Sequence, residues 1–317
     1  MLIALLGGCT SSPAPGVLPG GEVPPGSAGS LPTPLPTIHL SVELFPEVLS
    51  GSEAVDGAVP LLTPTPYPAS GVFSIGQSHE GRDIQVLQFG SGERLLVLVG
   101  AIHGGYEANT AALAEQLAQH FRQTPGEVLP NIRLMIIPVA NPDGLARGTD
   151  LQARFNAQGV DLNRNWGCEW ADTAYLRDRE VDPGPRPFSE PETRALRTFF
   201  LATEPDAVIF YHSKANGVFP GACGGREPSI WLGELLEEAT GYPHGEFSYY
   251  AVTGDATNWL AERGIPAAVV ELATADDPEF SRNLAGVMAL QCYFARQDLA
   301  GGASVPGLQR AVRRLCP

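Results

Sequence analysis

A chain of 317 residues, 44% hydrophobic and 17% charged, holds enough apolar material for one large core or two modest ones. Its net charge of −15, with Lys214 as the only lysine, argues against nucleic-acid binding, which wants a basic stripe. No run approaches the roughly 18 consecutive apolar residues of a membrane-spanning helix.

Residues 1–8 are small and apolar, and Leu6-Gly7-Gly8-Cys9 resembles the end of a bacterial lipoprotein signal, whose cysteine becomes lipidated. Residues 10–37 are rich in Pro, Gly and Ser and behave as a tether. Residues 38–69 carry scattered apolar side chains and several prolines, too few for a domain of their own. The expected organisation is therefore a signal remnant over 1–9, a tether over 10–37, an extension over 38–69, one domain over 70–300 and a tail over 301–317. The expected location is outside the cytoplasm, lipid-anchored through Cys9 at the bacterial cell surface or periplasm.

Residues 84–89 and 95–102 predict a hairpin, with Gly90-Ser91-Gly92 as its turn. Residues 110–121 predict a helix that presents Leu113, Leu117 and Phe121 on one face. A strand follows at 132–139, and Asn141-Pro142-Asp143-Gly144 reads as a tight turn after it. Phe188-Ser189-Glu190-Pro191-Glu192 opens a helix, with Ser189 suited to the N-cap and the acids to the positive end of the dipole. Continuous apolar runs at 207–211 and 267–270 predict buried strands, and 230–239 and 284–294 predict helices. Residues 301–317 form a basic tail with Arg310, Arg313 and Arg314. The expected fold is a single α/β domain: a mixed, mostly parallel central sheet with helices on both faces.

Setting Cys9 aside, Cys168, Cys223, Cys292 and Cys316 allow three pairings in an oxidising compartment. The preferred one joins Cys168 to Cys223, two loops near the site, and Cys292 to Cys316, the last helix to the tail.

The chemistry gathers at strand ends. The run 95–102 delivers His103, with Glu107 one loop later; 207–211 delivers His212; 267–270 delivers Glu271. In open α/β sheets ligands bind beyond the carboxyl ends of such strands. Two imidazoles and two carboxylates there supply a hydrolytic zinc site with three ligands, one open position and one base. Gly104-Gly105 let the backbone turn tightly enough for Glu107 to point back. A carboxylate ending the apolar stretch before Glu271 would be costly without a cation or water to serve. In Asp161-Leu162-Asn163-Arg164-Asn165-Trp166, an arginine fork beside an amide suits bidentate capture of a carboxylate.

Together with Ser78-His79-Glu80-Gly81-Arg82, Gly159-Val160-Asp161 and Phe188–Thr193, these motifs occur in an order that resembles the zinc metallocarboxypeptidase family. That family comprises the carboxypeptidase A-like enzymes and bacterial relatives that trim cell-wall peptides, and the resemblance covers 70–297. It implies one Zn2+ per chain, held by His103, Glu107 and His212. It implies Glu271 as the general base for the attacking water, and Arg154 as the group that polarises the scissile carbonyl. Asn163 and Arg164 would grip the C-terminal carboxylate of a peptide substrate, and Tyr250, with Tyr249 as its neighbouring competitor, would close over it. A monomer is expected.

Two departures stand out. Three residues separate His103 from Glu107 where the family has two, and Tyr106 replaces the arginine that often precedes the glutamate. Residues 38–68 are too short for the separate pro-domain of the family's digestive members. Asp255 either faces the pocket for the terminal side chain, favouring an amine-bearing residue, or caps a turn beside Gly254. Lys214 either meets an acidic substrate group or is a solvated surface residue. The expected function is zinc-dependent hydrolysis of the C-terminal peptide bond, with cell-wall peptides within reach. The alternatives are a zinc deacylase of the aspartoacylase type and an inactive peptide-binding module on the same fold.

Overall fold

The computed structural model describes residues 70–316. The expected anchor at Cys9, the tether and the 38–69 extension lie outside the described residues.

The chain enters as β1 (Ser70–Gln77), β2 (Asp83–Phe89) and β3 (Arg94–Val99), followed by α1 (Ala108–Gln123), β4 (Ile132–Ile137) and the short α2 (Pro142–Ala146). A small hairpin, β5 (Ala174–Leu176) with β6 (Arg179–Val181), precedes α3 (Pro191–Thr203), β7 (Ala207–Ser213) and β8 (Gly217–Pro220). Then come α4 (Ile230–Thr240), α5 (Ala256–Glu262), β9 (Ala267–Leu272), α6 (Phe280–Ala300) and α7 (Leu308–Leu315). No helix among the described residues is long and apolar enough to cross a membrane.

Seven strands form one mixed sheet in the order β1-β2-β4-β3-β7-β9-β8. The four central strands, β4, β3, β7 and β9, run parallel, and the pairings toward the two edges are antiparallel. Strand periodicity explains why the central runs are apolar throughout: in β3, Leu96 and Leu98 face one layer while Leu95, Val97 and Val99 face the other. The first layer is built by Leu113, Leu117 and Phe121 of α1, Leu232 and Leu236 of α4, and Val287 and Leu290 of α6. The second is built by Leu196, Phe199 and Phe200 of α3 with Trp259 and Leu260 of α5. The fold is thus a mixed α/β sheet covered by helices on both faces.

Several local expectations are corrected. β2 and β3 do not form a hairpin, because β4 lies between them. The Gly90-Ser91-Gly92 segment instead crosses the backbone of β4's entry, where the Gly92 and Arg94 N–H groups donate to the carbonyls of Ile132 and Asn131, each at 3.0 Å. A Cβ at Gly92 would run into the Asn131 carbonyl, so this glycine serves close backbone approach rather than a turn. The true hairpin joins β1 to β2 through Ser78–Arg82. Ser189 is not the cap of α3: Glu190 holds that position with extended backbone, Pro191 opens the helix, and Ser189 donates to Glu190 instead. The Asn141–Gly144 turn continues as α2, with the Asn141 side chain accepting from Gly144 N–H at 2.9 Å. The basic tail contains α7, pinned to α6 by the Cys292–Cys316 disulfide. The second disulfide is Cys168–Cys223, so both preferred pairings are present.

Candidate metal centre

β3, β7 and β9 are neighbours running in one direction, so their carboxyl ends open on the same side of the sheet. His212 lies near the end of β7 and pairs in register with Glu271 of β9. His103 follows β3 after a three-residue exit. Glu107 ends the 3-10 turn Gly104–Glu107 that starts beside it.

This turn is where the extra residue is absorbed. Gly104 has φ of +49°, and a Cβ there would meet Gly144 and the Ala153 carbonyl. A Cβ at Gly105 would strike the Gly148 carbonyl. Two glycines therefore let the turn press against α2 and the following turn, which swings Glu107 back. Its Oε1 lies 2.8 Å from His103 Nδ1 and its Oε2 lies 3.1 Å from His212 Nδ1. The two Nδ1 atoms are 3.1 Å apart. His103, Glu107 and His212 are 4%, 4% and 2% exposed.

These residues suit a zinc ion. Ligand bonds of roughly 2.0–2.2 Å arranged tetrahedrally put donor atoms about 3.3–3.6 Å apart, a few tenths of an ångström wider than the 2.8–3.1 Å found. His103 Nδ1 is approached at once by Glu107, His212 and Arg154 Nη1, the last at 3.1 Å. One imidazole nitrogen carries either a proton or a lone pair, and cannot satisfy an acceptor and a donor together. The Nε2 atoms of both histidines are buried without a hydrogen-bond partner. The convergence of Glu107, His212 and Arg154 on His103 Nδ1 is not resolved by protein hydrogen bonds alone, and a cation shared by the two Nδ1 atoms and Glu107 would relieve it.

The electrostatics agree. Burial alone would push the Glu107 carboxyl up, but the two imidazoles outweigh it and hold the group well below its usual range. Glu271 goes the other way, raised to about 7 by burial and then by the Glu107 charge. Its Oε2 accepts from Ala215 N–H at 3.0 Å. The site thus pairs an ionised ligand-type carboxylate with one poised near neutrality.

Arg154 is 2% exposed, with its Nε donating to Asp161 Oδ2 at 2.7 Å. Asp161 Oδ1 accepts from Asn163 N–H at 3.0 Å and lies 3.5 Å from His103 Nε2. Burial opposes ionisation of Asp161, yet Arg154 and its other neighbours keep it well below the ordinary aspartate value. Sequence reasoning gave Asp161 no role of its own. A usable signal existed: a ligating imidazole generally needs a carboxylate or carbonyl behind it, and Asp161 is the acid of the same motif.

A cavity of about 380 Å³ opens beside this cluster. Every candidate residue except Glu107 lines it: His103, His212, Arg154, Asn163, Arg164, Tyr250, Asp255 and Glu271. Asn163 Oδ1 accepts from Ala256 N–H at 3.0 Å, and Arg164 donates to the carbonyls of Asn163 and Tyr175 at 2.8 and 3.0 Å. Tyr249 is 67% exposed and lies off this wall, packed on Phe219 and Phe247, so Tyr250 is the tyrosine that faces the cavity. Asp255 caps α5 through Asn258 N–H at 3.0 Å and also lines the cavity. Lys214 is exposed and lies off the wall.

The remaining motifs brace the walls. Asp143 accepts from Ser78 Oγ, Glu80 N–H and Arg82 Nη1 at 2.6, 2.9 and 2.6 Å. Asn141 Nδ2 donates to the Arg154 carbonyl at 3.3 Å. Asn156 Nδ2 donates to Glu190 at 2.7 Å, and Asn165 is clasped by Ser189 and Thr193 at 2.8 and 2.7 Å. Such saturated buried networks fix the loops carrying Arg154, Asn163 and Arg164.

Residues 65–274 match the family model described as zinc carboxypeptidase. The murein peptide amidase A of Escherichia coli K12 is 28% identical over 242 residues, covering 71% of this chain and 92% of that protein. A metallocarboxypeptidase A-like protein of Trichophyton verrucosum is 29% identical over 245 residues, 64% of this chain; the chain spans only 57% of that fungal protein's length. Among solved structures, bovine thrombin-activatable fibrinolysis inhibitor, in complex with a tick carboxypeptidase inhibitor, shares the fold with a TM-score of 0.62 at 22% identity, over 72% of this chain and 91% of that one. By its family match, its fold and the site it builds, this chain belongs to the zinc carboxypeptidase family.

Proposed function

We propose that this protein is a zinc-dependent carboxypeptidase that hydrolyses the C-terminal peptide bond of its substrate. One observation carries the proposal: a single cavity is lined by two of the three clustered metal-type ligands, a half-buried carboxylate near neutrality and two buried arginines.

His103, Glu107 and His212 would hold one zinc ion, whose Lewis acidity polarises the scissile carbonyl and makes water acidic enough to attack near neutral pH. Arg164 and Asn163 receive the terminal carboxylate, and their position on the cavity wall sets how far the chain end enters. Arg154 directs its guanidinium at the oxygen that gains charge as the carbonyl carbon becomes tetrahedral. Glu271 takes a proton from the attacking water and returns it to the nitrogen as the C–N bond breaks. Tyr250 covers the bound residue and limits water around it.

The proposed substrates end in an amine-bearing residue, diaminopimelate of cell-wall peptides included. Support comes from the carboxylates of Asp255, Glu169 and Glu246 on the cavity wall and from the kinship with a murein peptide amidase. Two disulfides suit an exported protein, and tethering at Cys9 would keep it beside the wall.

The test is mass-spectrometric digestion of peptides ending in Lys, Arg, Glu or Phe, together with a γ-D-glutamyl-diaminopimelate stem peptide. Loss of single C-terminal residues, fastest for the amine-bearing ends, is the expected result. Cleavage of N-acyl amino acids with every peptide left intact would favour the deacylase, and no cleavage of either class would favour the binding module.

A further inference from the structure

Tyr106 occupies the additional position between His103 and Glu107, and none of the chemistry above uses it. Its side chain is 38% exposed, unusual for a large ring beside a buried cluster. Its face lies over the Arg154 guanidinium, 5.9 Å from ring centroid to Cζ.

Arg154 is held along its edge: Nε donates to Asp161 at 2.7 Å and Nη1 lies 3.1 Å from His103 Nδ1. Edge contacts fix a planar guanidinium within its plane but resist tilting out of it only weakly. A ring on the face supplies that restraint, through attraction between the cation and the aromatic quadrupole. The ring is itself held on a rigid base. Gly105 abuts the Gly148 carbonyl and Gly104 abuts the Ala153 carbonyl, so the turn bearing Tyr106 packs directly on the turn Leu151–Arg154. Arg154 lines the cavity and Tyr106 does not.

We infer that Tyr106 is a positioning residue whose aromatic face holds the Arg154 guanidinium in the plane from which it meets the developing oxyanion. The inference rests on the role of Arg154 proposed above. The additional residue would then do more than lengthen a turn: it installs a backing plate for the arginine.

The test compares Tyr106→Phe and Tyr106→Leu in the zinc-loaded full chain, each alone and combined with Arg154→Ala, on a peptide that the parent protein cleaves. Tyr106→Phe keeps kcat within about twofold, because the ring is retained. Tyr106→Leu lowers kcat about fivefold with KM and zinc content little changed, and has no further effect in the Arg154→Ala background. A second readout needs neither metal nor turnover: hydrogen exchange at Arg154 Nε, followed by NMR in metal-free protein, quickens in Tyr106→Leu and stays slow in Tyr106→Phe. Parental kcat and exchange in Tyr106→Leu would overturn the inference while leaving the carboxypeptidase reading intact. So would an equal loss in both backgrounds, or a Tyr106→Phe as damaged as Tyr106→Leu. An Arg154→Ala variant with parental kcat would remove the role of Arg154 and this inference with it.

Discussion

At the scale of single residues, the decisive group is Glu271. Burial, followed by repulsion from Glu107, raises its carboxyl to about 7. A base must be deprotonated, so kcat/KM is expected to climb about tenfold per pH unit on the acid side and level off once Glu271 has ionised. A bound dication favours the charged form, so in the zinc-loaded enzyme the limb falls below pH 7. Glu271→Gln is expected to keep zinc, lose about 10²–10⁴ in kcat and lose this acid limb. Parental kcat in that variant would remove Glu271 as the base; kcat/KM profiles from pH 5 to 9 with metal analysis decide it. His103, His212 and Glu271 were legible in the sequence because polar residues following apolar strands need a reason to be there, and Glu107 because a glycine pair precedes it. Asp161 was not, since its contacts are with His103 and Arg154 and no local pattern announces a contact across separate loops.

At the scale of elements, the turn Gly104–Glu107 is tightly constrained. Gly105→Ala would drive a methyl group into the Gly148 carbonyl and push Glu107 off the two imidazoles. The expected result is zinc affinity weakened by about tenfold or more, read by competition with a chelator. The Cys168–Cys223 disulfide joins two loops whose adjoining residues, Glu169 and Ala222, line the cavity. Replacing both cysteines by serine is expected to cost about 2–4 kcal/mol of stability and to raise KM more than it lowers kcat. Thermal unfolding and steady-state kinetics separate the two effects. Legibility follows the same division. Long periodic runs such as α1 and β7 were readable, because burial on one face or both leaves its mark on every residue. The β2–β3 pairing was misjudged because Gly90-Ser91-Gly92 looks the same whether it turns or crosses a neighbouring strand. α7 was hidden because its anchors, Leu308 and Cys316, lie among exposed arginines.

At the scale of the whole molecule, one charged cluster joins elements far apart in sequence. Arg94, at the start of β3, donates to Asp298 of α6 at 2.9 and 2.7 Å and to Asp206, just before β7, at 2.9 Å. Asn131 adds a bond to Asp298 at 2.8 Å, so one cluster ties α6 to the sheet end opposite the site. Burial would raise the Asp298 carboxyl, but Arg94 and Asn131 outweigh it and depress it. A depressed carboxylate contributes stability above its unfolded value of about 4, and that contribution is lost as pH falls through the folded value. Asp298→Asn is therefore expected to cost about 1 kcal/mol at pH 7 and much less at pH 3, measured by urea unfolding at both. The proposed function requires that strands far apart in sequence converge to hold one catalytic ion. Its most direct test is zinc content in the purified parent and in His212→Ala, prepared side by side. One zinc per chain in the parent and under about a tenth of that in the variant is the predicted result. Equal zinc in both, or none in the parent after reconstitution, would contradict it.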